Sequence, residues 1–408
     1  MKRETRLLRA QPAGDEGFAS LSVPVTRAST IVFPTSDAFE RRYEQFYDGY
    51  TYGLYGTPTS RTLEARMAEL YAAEYSLCMP SGQSATVLAL TALLKAGDRV
   101  LVTAAAYGST RTFCTEMLAR FGVETVLYDP AIGTDIGALI NERTRLVVIE
   151  SPGSNTMEIQ DIPAIAQAVR TAGACVLADN TWASALNCNP LDLGADIVME
   201  ALSKHVGGHA DLLLGALVTR DEALFRRMKD VSRMMGLGVS ADDASLALRG
   251  LQTMPLRMER EGASALTLAR WLASRPEIER VLHPALPNDP GHRLWRRDFQ
   301  GASGLFSIAL AVPFQERMAE FVDALRVFRI GASWGSAQSI VTPQTPHRVG
   351  DEAGATAGNK LIRFSIGLEP VEDLQADIEA ALSLLGADAA QTTRARALDK
   401  RELQQEER

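Results

Sequence analysis

From Thr59 onward the chain switches between two hydrophobic rhythms. Residues 61–74 (RTLEARMAELYAAE) set apolar side chains at helical spacing and predict an amphipathic helix. After Ser81, Gly82 and Gln83, residues 84–95 are strongly apolar and predict a second, buried helix. Short β-branched runs then recur at Arg99–Thr103, Glu124–Tyr128, Arg145–Glu150, Cys175–Asp179, Asp196–Leu202 and Leu213–Thr219, and each predicts a strand. Helical stretches at 109–121 and 162–172 separate several of them. Strand–helix alternation of this kind implies an α/β fold, with a mostly parallel sheet between helices. This large domain is expected over residues 56–250.

The pattern changes on either side. Residues 1–55 are irregular, and six tyrosines or phenylalanines follow Phe39 before residue 56. Such a segment is too interrupted for a core helix and reads as an arm that packs on something else, a neighbouring subunit being one candidate. Beyond residue 250, helices are expected at 263–275, 315–328 and 371–385, strands at Gly304–Ala311 and Leu361–Gly367, and a Pro-rich connection from His283 to Gly291. That is a smaller C-terminal α+β domain, 251–388. Residues 389–408 are a polar, charged tail.

Composition narrows the class. At 408 residues and 46% hydrophobic, the chain can bury substantial cores. The net charge of −8, with both signs mixed along the chain, argues against nucleic acid or an anionic membrane as the main partner. Cys78, Cys114, Cys175 and Cys188 form no CxxC pair, so a reducing compartment is expected rather than a disulfide framework. The start of the chain has no signal-like apolar core, and no run of about 18 apolar residues occurs. A cytoplasmic protein is the expectation. No GxGxxG follows the early strands, which removes a dinucleotide-binding dehydrogenase. His205 and His209 have helical spacing, but two intervening glycines oppose a helix, and no metal site is expected.

Four segments carry candidate chemistry. Lys204 follows the strand that ends at Leu202 and so falls at its carboxyl end, where ligands of open α/β sheets bind. Partial desolvation there would make its amine nucleophilic; a surface lysine is the plain alternative. Asp179 ends another strand in the same way and is a helix cap, a salt-bridge partner or a ligand for a cofactor ring nitrogen. Residues 81–86 (SGQSAT) open a helix, whose free N–H groups suit a phosphate, although Ser81 or Ser84 could equally be an ordinary cap. Tyr107 follows the strand 99–103 and could stack on a flat ring or simply pack.

Taken together, in this order and spacing, these segments resemble the Cys/Met-metabolism family of pyridoxal-phosphate (PLP) enzymes, which includes cystathionine γ-synthase, cystathionine γ- and β-lyases and methionine γ-lyase. The resemblance spans about residues 20–385. It is carried by YGLYGTPTSRTLE (52–64), SGQSAT, AAAYG (104–108), ESPGSNTMEIQDIP (150–163), DNTW (179–182), SKHVGGHAD (203–211), SWGSAQSI (333–340) and LIRFSIGLE (361–369). YGLYGTPT, ESPGS and the SWG before the Ser339-Ile340 dipeptide liken it most to the bacterial cystathionine β-lyase branch.

The resemblance implies a PLP-dependent transferase fold of type I and a set of roles. Lys204 would carry PLP and shuttle the Cα proton. Asp179 would pair with the ring nitrogen and Tyr107 would stack on the ring. Gly82, Gln83 and Ser203 would hold the phosphate. Tyr52 would reach the site from a neighbouring subunit of a homotetramer, a dimer of dimers. Arg363 would bind the substrate carboxylate, with Ser333 and Trp334 shaping that pocket. The implied activity is α,β-elimination of L-cystathionine, with another β/γ-elimination or γ-replacement as the alternative and a non-catalytic binding protein as a third. The chain departs from many relatives at Leu54 and Ala201, where arginine and serine contact the phosphate, and at Ser154 and His205. Backbone N–H groups, Arg61 or another basic residue must then serve the phosphate.

Overall fold

A computed structural model describes residues 3–8, 13–15, 18–345 and 360–385. His347 and the tail 389–408 lie outside the described residues. Helix α1 (Pro58–Leu70) is opened by a capping box in which Thr57 and Ser60 satisfy each other's amides. Strand β1 (Tyr75–Met79) follows, then α2 (Gly82–Leu93). The large sheet continues through β2 (Arg99–Thr103), β3 (Glu124–Tyr128), β4 (Thr144–Glu150), β5 (Cys175–Asp179), β6 (Ile197–Glu200) and β7 (Gly215–Thr219). Helix α3 (Gly108–Thr112) follows β2 and α4 (Ile162–Thr171) precedes β5.

The spatial order is β1-β7-β6-β5-β4-β2-β3. Strands β3, β2, β4, β5 and β6 run parallel, whereas β7 is antiparallel to β6 and β1 to β7. The parallel strands were legible as apolar runs, and three of them have the predicted bounds. Strand β1 was not predicted, because YSLCM carries no alternation to set it apart from the end of the helix before it.

Alternation within each strand feeds two cores, one on each face of the sheet. Val147, Ile149, Val176, Ala178 and Val198 point into one core. Leu146, Val148, Leu177, Ile197 and Met199 point into the other, where α2 packs with Leu88 and Ala89. This pleat also decides where the strand-end carboxylates go. Glu150 and Asp179 share the parity of the α2 side, and Glu200 shares that of the opposite side.

The second half of the chain is organised by one helix, α6 (Ala241–Leu272), which follows α5 (Glu222–Met234). The sequence predicts only 263–275 as helical, because Pro255 interrupts the run. The helix nevertheless continues through Pro255 for 32 residues. Its first part contributes Ala244, Leu248, Leu251 and Met254 to the large-domain core. Its last part contributes Ala265, Leu268 and Leu272 to the small-domain core. A rigid rod thereby enters both, and the expected boundary near 250 falls inside it. The small sheet has order β8-β9-β12-β11-β10, from β8 (Ile278–Leu282), β9 (Leu305–Leu310), β10 (Arg329–Ile330), β11 (Ile340–Gln344) and β12 (Leu361–Ser365). A helix over 371–385 covers it, as predicted.

Glu200 ends β6 on the face away from the helix α2. The Tyr71 hydroxyl donates to its Oε2 at 2.5 Å, while its Oε1 has no partner. Burial pushes the Glu200 carboxyl up from 4.5 to about 7. The folded state thus favours the protonated form, so this group supports folding fully below its unfolded value and loses that support as pH rises toward 7. The shift corresponds to a cost of ionisation on the order of 3 kcal/mol. We expect Glu200→Gln to flatten the decline in unfolding free energy between pH 5 and 8, measured by urea titration. An unchanged slope would assign the decline to other groups.

Candidate active site

The cavity lies beyond the carboxyl ends of β4, β5 and β6, against the start of α2, and encloses about 210 Å³. Gly82, Gln83, Tyr107, Asp179, Ser203, Lys204 and Trp334 all line it. These residues come from five separate segments of the sequence. Ser333 joins them through Lys204, whose Nζ donates to the Ser333 hydroxyl at 2.6 Å.

Burial, with the nearby Arg363 guanidinium, lowers the Lys204 amine to about 8, against the pull of Asp179. The Lys204 Nζ also stands 5.5 Å from the centre of the Trp334 ring. About a tenth of this amine is therefore free base at pH 7, far more than at its ordinary value of 10.5, and that form is the one that adds to an aldehyde. The backbone turns closely against α6 at Gly208. Its φ is +71°, and a Cβ there would lie 2.0 Å from the Arg257 guanidinium on α6.

Asp179 receives two hydrogen bonds on Oδ1, from the Thr181 amide at 2.9 Å and the Thr181 hydroxyl at 2.6 Å. Its Oδ2 is left for the cavity. Burial raises the Asp179 pKa, while the Thr181 bonds and Lys204 hold it back. Thr181 was not singled out from the sequence, although its place two residues after Asp179 suits an Asx-type turn.

The start of α2 offers an anion cradle. The Ser84 amide is taken by the Ser81 hydroxyl and the Ala85 amide by the Ser81 carbonyl. Ser81 and Ser84 are thus the capping box, the plainer of the two readings for them. The Gly82 and Gln83 amides come before these and remain for a ligand. A Cβ at Gly82 would meet the Ala201 Cβ at 2.6 Å, so glycine and alanine are matched there. The Gln83 side chain donates to the Ser109 carbonyl, and the Ser203 hydroxyl donates to the Leu214 carbonyl at 3.1 Å. Arg61 does not substitute for the absent phosphate arginine within this chain. It bonds Glu64 at 3.1 Å and the Gly49 carbonyl at 3.3 Å, away from the cavity.

Arg363 comes from the small sheet. Its neighbours Ile362 and Phe364 face the small-domain core, so alternation turns Arg363 the other way, towards Lys204. It is 3% exposed. Nη1 donates to Asn155 Oδ1 at 2.9 Å and Nη2 to the Ala332 carbonyl at 3.3 Å, while Nε has no partner among the described residues. No ion pair to Arg363 is found among the described residues, so it is not held in place as one half of a structural ion pair. Burial lowers its pKa to about 10. A buried arginine without a carboxylate is arranged to receive one.

Tyr52 does not line this cavity. Its ring is 44% exposed and stands edge-on to Tyr55, 5.8 Å between centroids. Glu150 does line it and was missed, because a strand-end glutamate has no sequence signature beyond its place before Ser151 and Pro152. His205 points away, its Nε2 against the Trp182 carbonyl at 3.2 Å and its Nδ1 3.5 Å from Glu261. Among the described residues no cluster of side chains could hold a metal, and no helix is long and apolar enough to cross a membrane.

A nucleophilic lysine, a carboxylate with one open oxygen, an amide cradle and an unpaired arginine together fit a phosphorylated aldehyde cofactor and an amino acid. Residues 4–383 match the Cys/Met metabolism PLP-dependent enzyme family. The chain belongs to that family, and its cofactor is PLP. A Rhizobium johnstonii protein, assigned provisionally by its name to the cystathionine β-lyases, is 43% identical over 383 residues, covering 92% of this chain and 94% of its own. A cystathionine β-lyase of Bordetella avium is 39% identical over 372 residues, covering 90% and 93%. The crystal structure of metB from Corynebacterium glutamicum superposes with a TM-score of 0.87 at 30% identity, covering 94% of this chain and 98% of that one. The type I fold is thereby established.

Two outcomes are expected. Acylation of Lys204 in protein stripped of PLP, mapped by mass spectrometry, should follow a midpoint near pH 8, and a midpoint above 10 would remove the amine's special status. Arg363→Met should retain PLP but raise KM for amino-acid substrates by roughly 30-fold or more. Loss of PLP instead would place Arg363 with the cofactor.

Proposed function

We propose that the protein cleaves L-cystathionine by α,β-elimination to homocysteine, pyruvate and ammonia. The observation that carries this reading is the unpaired, buried Arg363 guanidinium beside the Lys204 amine, one group for each end of an α-amino acid. The relatives named cystathionine β-lyase supply the substrate.

When bound, PLP supplies an aldehyde carbon for an amine and a ring that accepts electrons from a bond at Cα. The protein's residues do the rest. Arg363 binds the α-carboxylate and, with Asn155 fixing one nitrogen, orients the Cα–H bond toward Lys204. The Lys204 amine takes that proton at Nζ and can return it to the departing sulfur. The proton removed from Cα leaves on the homocysteine thiol, and water releases pyruvate and ammonia from the remaining three carbons. Asp179 Oδ2 would hold a proton on the ring nitrogen, the Gly82 and Gln83 amides would hold the phosphate with Ser203 beside them, and Trp334 and Ser333 would shape the substrate side.

The site is open on one side. Tyr107 is 49% exposed and Leu213 71% exposed, although both line the cavity. The arm carries further exposed apolar rings at Phe39, Tyr43, Tyr50 and Tyr52. A neighbouring arm bringing Tyr52 to this opening accounts for both, within a homotetramer acting in the cytoplasm.

Incubation with L-cystathionine should yield pyruvate in step with homocysteine. 2-Oxobutyrate as the main keto acid would move the reaction to the γ carbon. Light scattering should give four times the 44.2 kDa chain mass. Mixing inactive Lys204→Ala and Tyr52→Ala proteins through mild dissociation should regenerate activity, since hybrid dimers hold one intact site. No recovery would place Tyr52 within its own subunit's site.

A further inference from the structure

Among the described residues the Tyr107 hydroxyl has no hydrogen-bond partner, and the residue is half exposed. What fixes it over the cavity must therefore be its backbone. The loop that carries it, residues 104–107, is held at every residue. The Ala104 amide donates to the Tyr128 carbonyl at 2.9 Å, and the Ala105 carbonyl accepts from the Ser154 amide at 2.9 Å. The Arg111 guanidinium donates to the carbonyls of Ala104 and Ala106. The Tyr107 amide donates to Glu150 Oε2 at 2.6 Å.

Glu150 is costly to keep in this place. It sits opposite Asp179 in the β4–β5 register, on the same face of the sheet. Burial and the Asp179 charge both raise its pKa well above the usual range, against the Tyr107 amide, the Ser154 hydroxyl and the Arg111 charge. A second carboxyl beside the ring-nitrogen ligand is destabilising unless it serves something. The contact it makes is with the residue that covers the cavity.

We propose that Glu150 and Arg111 are positioning residues that grip loop 104–107 from its two sides and so hold the Tyr107 ring over the cofactor. The inference rests on the reading that Tyr107 stacks on PLP in this cavity. Neither residue touches the reacting atoms. Because the requirement is an oxygen acceptor for one N–H, a glutamine at 150 meets it as well as a glutamate.

The test is a double-mutant cycle on PLP binding, with full-length protein stripped of cofactor and titrated with PLP, followed by tryptophan fluorescence and the visible absorbance of the product. Glu150→Ala should weaken PLP binding roughly tenfold, the loss of one hydrogen bond. Glu150→Gln should stay within about threefold of the parent. Adding Glu150→Ala to a Tyr107→Ala protein should change affinity by less than about twofold, because the ring it positions is gone. Arg111→Met should behave like Glu150→Ala in both backgrounds. Full additivity with Tyr107→Ala would overturn the proposal, as would Glu150→Gln binding PLP as poorly as Glu150→Ala. Cystathionine enters none of these measurements, so a wrong substrate would not disturb them. Tyr107→Ala that binds PLP like the parent would instead strike the stacking reading itself.

Discussion

The pleat of three adjacent parallel strands is the constraint on which the site depends. Strands β4, β5 and β6 end together, and successive side chains must alternate between faces. Ile149 and Ala178 therefore enter one core, while Glu150 and Asp179, the next residues, fall on the α2 side. Glu200 ends β6 with the other parity and is turned away to Tyr71. A one-residue shift in any of these strands would exchange a cavity residue for a core residue. The same rule operates in the small sheet, where Ile362 and Phe364 enter its core and Arg363 between them is delivered to the large domain.

The polar groups gathered in this way are not all paired among the described residues. Arg363 is buried with no ion pair there, Lys204 is lowered toward neutrality, and the two α2 amides stand before an open space. Each of these is unfavourable in isolation, since a buried cation or donor without a partner has lost its hydration. They become favourable together when a phosphate and an amino-acid carboxylate arrive. Binding energy is thus stored as unmet polarity on rigid elements, and this is the condition for strong electrostatic orientation of a substrate. Glu150 is the exception that is already engaged, with its acceptor committed to the Tyr107 amide.

Rigidity comes from α6. Its residues Leu251 and Met254 lock into the large core, and Leu268 and Leu272 into the small one. The distance between the Lys204 segment and the Arg363 strand is thereby set by one continuous helix. The buried Arg257 ties α6 to the Lys204 segment by donating to the Val206 carbonyl at 3.5 Å beside the Gly208 turn.

By itself the sequence determined the elements and the cofactor chemistry. Apolar runs of five or so residues bounded by helices specify strands through local periodicity, and Lys204, Asp179 and Gly82 were readable because each stands at an element's end. Periodicity failed where a signal was not local. Pro255 hid the front of α6, which is held helical by packing on both sides, and YSLCM pairs as an antiparallel strand only because β7 lies next to it. Tertiary structure alone decided which strand-end groups meet. Glu150 and Asp179 are 29 residues apart in sequence and opposite one another in register, and Arg363 reaches Asn155 across 208 residues. No property of those residues taken singly encodes such meetings, because they are fixed by strand order, register and the helix that joins the two sheets.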